Sequence, residues 1–201
     1  ARLPGLSSEA ARILQGMTVI SDQRGKDAQV IPTVGFSDAV ADLLLSDDYF
    51  PALQVLDGER YNANHQALAW LAKAGIVRTI VTTNFDTLIE RALRETGVEF
   101  TAFISSEDYE RDQSASESLE FYKIHGSVDA PDSLRDTATQ KYAGLPLHVR
   151  ARLAELVREH HLMVIGFSGD DLKFGEDYLG LAPTSAEGPG ITWVARPPRD
   201  P

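Results

Sequence analysis

From Val77 onward the chain alternates short β-branched runs with helical stretches, and this rhythm limits the fold more than any other feature. Residues 77–82 (VRTIVT), 98–104 (VEFTAFI), 121–124 (FYKI), 162–165 (LMVI) and 191–195 (ITWVA) read as strands. Between them, residues 87–96 (TLIERALRET), closed by Gly97, and 146–160 (PLHVRARLAELVREH) read as helices. Strands separated by helices indicate βαβ units. The expected fold class is therefore α/β, a Rossmann-like parallel sheet flanked by helices. Short, mostly apolar runs suit strands that are covered on both faces.

Upstream the pattern is helical. Ser7-Ser8-Glu9 can start one helix and Ser37-Asp38 can cap a second, with a polar loop at 21–35 between them. Asn62 or Asn64 can cap a third, in which Leu68, Leu71 and Ala72 form one apolar stripe and Gly75 ends the helix. Residues 105–118, acidic and rich in serine, read as a surface loop. The expected organisation is one domain over 1–201: a helical segment at 1–76, a Rossmann-like core at 77–196, and a tail or linker at 197–201.

Composition removes several function classes. A net charge of −11 opposes nucleic-acid binding, which draws its affinity from Lys and Arg on phosphates. It does not oppose a small anionic ligand, which backbone N–H groups at a helix N-terminus can hold. No apolar run reaches the roughly 18 residues of a membrane span, and no signal peptide is visible. There is no cysteine, so disulfides and thiolate zinc sites are excluded. A cytoplasmic location is the expectation.

Ligands of open parallel sheets bind outside the C-terminal ends of the strands. Three polar clusters fall there: Thr82-Thr83-Asn84-Phe85-Asp86, His125-Gly126-Ser127, and Gly166-Phe167-Ser168 with Gly169-Asp170-Asp171. A parallel sheet is expected to carry them to one rim. Each also has a plainer explanation. Asn84 and Asp86 can cap the next helix. A single histidine after a strand is commonly structural, and a Gly-Phe-Ser turn is a weak pattern. Asp170-Asp171 reads as solvated, and His160-His161 suits a helix C-terminus, with no catalytic role.

As a set and in this order, the clusters resemble the SIR2 (sirtuin) superfamily, whose pattern is a TQNxD-like turn, a later His-Gly and a later GxS strand end. The stretches TTNFDTLIERAL, KIHGSVD and VIGFSGDDL look closer to its bacterial branch than to the deacetylases, and the resemblance spans roughly 77–195. The four-cysteine zinc module of the deacetylases has no counterpart here, so no zinc is expected. The family's opening strand and GAGxS loop also find no match. Arg2-Leu3-Pro4-Gly5-Leu6 resembles the family's segment after that loop, so the chain is expected to begin just downstream of it, and residues 1–201 alone to bind and turn over NAD weakly.

The resemblance implies NAD as substrate, with hydrolysis of its nicotinamide–ribose bond to ADP-ribose and nicotinamide. It assigns Asn84 to the nicotinamide ribose and the attacking water, and His125 to the ribose hydroxyls as base or orienting group. It places Thr82, Thr83, Asp86, Gly126, Gly166, Phe167 and Ser168 along the cofactor, with Trp193 beside the adenine. It further implies an effector unit of an antiviral defence protein, held in an oligomer and joined to a sensor domain or partner protein. Three other readings remain: a sensor that binds NAD or ADP-ribose without turnover, an enzyme that transfers ADP-ribosyl or acyl groups, and an assembly domain with a relic pocket.

Overall fold

The computed structural model describes residues 54, 57–58, 60–110, 118–135, 143–167 and 188–194. The expected helices near 7–16 and 37–45 lie outside the described residues. So do Ser168, Asp170 and Asp171, together with the expected tail. The chain divides into two compact units, Ala1–Ser105 with Asp112–Ala138, and Ser106–Arg111 with Thr139–Pro201.

In the first unit, α1 (Ala63–Lys73) begins at Asn62. The Asn62 side chain accepts the N–H groups of Asn64 and His65, and His65 Nδ1 accepts the Asn62 N–H in return. These bonds satisfy donors that a helix start otherwise leaves open. Gly75 succeeds the helix at φ 70°, and Ile76 N–H closes back onto the Leu71 carbonyl. Strand β1 (Thr79–Thr82) leads to α2 (Leu88–Thr96), which Gly97 terminates at φ 72°. Strands β2 (Phe100–Phe103) and β3 (Leu119–Lys123) complete a parallel sheet of order β1-β3-β2.

The last strand therefore inserts between the first two. Its register sets Ile80 beside Phe121 and Thr82 beside Lys123 on one side, and Phe103 beside Tyr122 on the other. A central strand is covered on both faces, which explains the apolar run. Phe121, fully buried, packs with Ala69, Ile80, Ala92 and Leu93 under α1 and α2, its ring edge-on to Phe100 at 5.8 Å. Tyr122 points to the opposite face and stacks on Phe103 at 4.5 Å.

The second unit contains α3 (Ser106–Tyr109), α4 (Leu147–Glu159), and the parallel pair β4 (Leu162–Ile165) and β5 (Ile191–Val194). Val149, Leu153, Leu156 and Val157 form the buried stripe of α4. The short α3 falls inside the stretch read as loop; its last residue, Tyr109, is buried, with its ring 6.3 Å from that of His148. The described strands thus lie in two parallel sheets, and the α/β arrangement expected from the sequence is present in both units. Met163, Ile165, Ile191, Trp193 and Val194 are exposed, unlike the covered strands expected there; among the described residues this sheet has two strands. Among the described residues no helix is long and apolar enough to cross a membrane.

One long-range latch fixes the start of α2. The Asp57 carboxylate accepts the Thr87 N–H at 2.6 Å and the Thr87 hydroxyl at 3.0 Å, and pairs with Arg91 at 2.9 Å. An acid at a helix N-terminus also meets the positive end of its dipole. Asp57→Ala is expected to cost about 1–3 kcal/mol, read as a lowered urea midpoint with an unchanged slope.

Candidate functional site

The sheet of the first unit delivers two of the polar clusters to one edge. Thr82 and Lys123 are partners in register. Asn84 and His125 each lie two residues past that pair, at the C-terminal ends of neighbouring parallel strands. The two turns are also bonded to each other. Ile124 N–H donates to the Thr82 carbonyl at 3.1 Å, and Val128 N–H donates to the Phe85 carbonyl at 2.9 Å. The first continues the sheet ladder; the second folds the His125-Gly126-Ser127 turn back onto the Asn84 turn.

Within the Asn84 turn the residues divide by task. Asn84 N–H donates to Thr82 Oγ1 at 3.0 Å. The Asn84 side chain is exposed and makes no hydrogen bond among the described residues. Thr83 is half-buried. Asp86 Oδ1 accepts the Leu88 N–H at 3.0 Å, so this carboxylate takes up one open donor of α2, although the N-cap position itself is Thr87. Neither expected residue is the N-cap; Asp86 bonds the helix start from one position earlier, and the Asn84 side chain does not.

In the second turn, His125 is 3% exposed and its carbonyl accepts the Arg135 N–H at 3.0 Å. Gly126 has φ 82°, and a Cβ there would run into the Ser133 carbonyl. The glycine is required by backbone approaching backbone. Ser133 belongs to a 3-10 turn, Pro131–Ser133. Its hydroxyl donates to the Ala130 carbonyl at 2.6 Å and accepts the Ser127 N–H at 3.0 Å. Ser127 is fully buried and its hydroxyl donates to the Asp129 carboxylate.

Beneath both turns lies a charge pair that patterning alone does not disclose. Lys123 Nζ, fully buried, donates to Glu90 Oε1 at 2.7 Å, to the Asp86 carbonyl at 2.5 Å and to the Phe85 carbonyl at 3.3 Å. A buried lysine is rare unless paired, so a lysine inside FYKI is itself a signal. Its counterpart is a glutamate on the apolar face of α2, three residues before the buried Leu93. Burial pushes the Glu90 carboxyl above its ordinary 4.5. The attraction of Lys123 opposes that shift and the charge of Asp129 adds to it. Glu90 Oε2 has no hydrogen-bond partner among the described residues.

The third cluster belongs to the second unit, at the end of a strand in the two-stranded sheet. Gly166 succeeds β4 at φ 71° with open space where a side chain would be. The Phe167 and Trp193 rings lie 5.7 Å apart at a tilt of 35°. Trp193 is 43% exposed.

An open hollow of about 390 Å³ lies elsewhere, lined by Tyr61, Gln66, Trp70, Lys73, Glu95 and Thr96. It adjoins the last turn of α2, the far end of that helix from Asn84. No group of three or more metal-ligating side chains occurs among the described residues.

Gly126→Ala combines a left-handed φ with a backbone clash, and is expected to cost well over ~1 kcal/mol, visible as a lowered thermal midpoint. For Glu90 the sign comes from linkage. A raised carboxyl holds its proton in the folded state at a pH where the unfolded chain has lost it. Its contribution is therefore full below about 4.5 and falls as pH rises towards the folded value. The stability of wild type relative to Glu90→Gln should be greatest near pH 4 and decline upward; denaturant curves across that window check it.

A family model described as a SIR2-like domain matches residues 78–187, more than half of the chain. No curated protein matches it.

Proposed function

The chain belongs to the SIR2-like domain family, and on that premise we propose that it hydrolyses NAD at the nicotinamide–ribose bond. Domains of this family are typically NAD-dependent enzymes. The observation that carries the reading is the placement of Asn84 and His125, each two residues past the paired Thr82 and Lys123.

The substrate supplies a cationic leaving group that departs as neutral nicotinamide, so no protein acid has to protonate it. What the chain must do is orient the ribose, support developing positive charge and aim a water. Asn84, with its amide unspent on the fold, would hold the ribose and the water. His125 would orient the ribose hydroxyls, and a neutral imidazole suits that role. The Asp86 carboxylate, fixed by Leu88 N–H, would add negative charge on the nicotinamide side. Thr82 and Thr83 shape the same turn. Gly126 serves by letting the second turn close.

Gly166, Phe167, Ser168 and Trp193 are assigned to the adenosine portion. Support for this is the exposed aromatic pair and the open backbone at Gly166. The role in antiviral defence, the sensor or partner protein and the oligomer are proposed from the likeness of TTNFDTLIERAL, KIHGSVD and VIGFSGDDL to the bacterial branch, and the absence of zinc and a cytoplasmic location from a sequence without cysteine.

A second reading is favoured by one observation. His125 is almost fully buried, which suits a module that binds NAD without cleaving it. Nicotinamide release by the full-length protein separates the two. Asn84→Ala is the cleanest probe, because an exposed side chain leaves no cavity behind. It is expected to lower release ~100-fold or more at unchanged melting temperature. Hydrolysis also predicts free ADP-ribose in equal amount; an ADP-ribosylated protein found by mass spectrometry would point to transfer. Undiminished release by Asn84→Ala would remove Asn84 from the site.

A further inference from the structure

We propose that Lys123, with Glu90 as its counter-charge, is a positioning residue that presets the Asn84 turn for the ribose. This rests on the reading of Asn84 and His125 as the site. An ammonium has three N–H donors, and here three acceptors receive them: the Phe85 and Asp86 carbonyls and Glu90 Oε1. Two of the three are main-chain atoms of the residues directly after Asn84. The Phe85 carbonyl also accepts Val128 N–H from the His125 turn. One buried cation thus stands where the two turns meet, and its removal takes a donor from both carbonyls at once, leaving Phe85 with Val128 N–H alone of these two bonds.

Stability alone does not account for this choice. Desolvating two charges offsets much of their attraction, and apolar side chains of similar volume often replace such a pair without loss. An apolar pair, however, has no donor for a carbonyl. Lys123 can therefore be separated from simple packing, because one replacement restores the packing and still leaves the turn without its anchor. Glu90 has a matching task. It neutralises a cation that would otherwise stand close to a site where positive charge develops.

The test uses the full-length protein, comparing wild type, Lys123→Met, and the double variant Lys123→Met with Glu90→Leu. Two quantities are read: steady-state nicotinamide release from NAD, and hydrogen exchange of the amides at 83–88. Lys123→Met alone should be unstable, since it strands Glu90. The double variant should regain a melting temperature near wild type. It should nonetheless show faster exchange at 83–88 and a kcat lower by about 10- to 100-fold with little change in KM. Wild-type exchange in the folded double variant overturns the positioning role, whatever its activity. So does wild-type kcat accompanied by faster exchange. If wild type itself releases no nicotinamide, the cleavage reading fails, and exchange alone decides the positioning role: faster supports it, unchanged refutes it. If the double variant does not fold, exchange of Lys123→Met without NAD, at a permissive low temperature, is read by the same criterion.

Discussion

Lys123 carries its ammonium into the space between β3 and α2, sealed from solvent. A charge there is tolerable only if every donor is matched, because an unmatched buried charge costs several kcal/mol. The matching groups come from distant stretches of chain: one side chain of α2 and two carbonyls of the preceding turn. Strand, turn and helix are thus constrained by one atom. The sheet order adds to this, since β3 lies between β1 and β2 and has no free edge on which to shift.

That constraint clarifies which polar groups above the sheet are structural. Asp86 is engaged by Leu88 N–H, Ser127 by Asp129, and Ser133 by Ala130 and Ser127. Gly126 answers a steric demand from Ser133. Once these obligations are met, the exposed Asn84 amide is left without a fold-keeping bond among the described residues. A polar side chain held at a fixed place but not spent on holding it is what a binding site requires. The distinction between Asn84 and Asp86, two residues apart in one motif, comes from hydrogen bonds and not from residue type.

Local chemistry made much of the fold legible. Asn62 announces α1, and Gly75 and Gly97 end α1 and α2 in left-handed conformations that a side chain resists. The run LMVI coincides with β4 over Leu162–Ile165. What the sequence concealed is non-local. Nothing in FYKI says that its strand inserts between the other two, and Asp57 gives no sign that it will cap a helix starting 30 residues later. The short α3 has too few residues to show periodicity, and Tyr109 alone of its residues is buried. At the site, Asn84 and His125 were legible as a pattern, whereas Lys123 and Glu90 were legible only as two charges in apolar company. Their meeting requires the β3–α2 packing to be known.

If the chain cleaves NAD at the Asn84 turn, as proposed, the pairing of those two charges bears on the chemistry in a way that neither has alone. A ribose acquiring positive charge is opposed by any nearby cation, and the interior screens such a field less than water does. Lys123 offers the Phe85 and Asp86 carbonyls a donor stronger than a neutral amide or hydroxyl would be, but unpaired it would also project its charge towards the turn. Glu90 at 2.7 Å converts that charge into a short dipole, whose effect fades much faster with distance. Glu90 itself is kept from easy ionisation by burial and by Asp129, so the lysine is the group that makes its carboxylate form tenable. On the proposed reading the pair holds the turn through Lys123 while Glu90 offsets its charge.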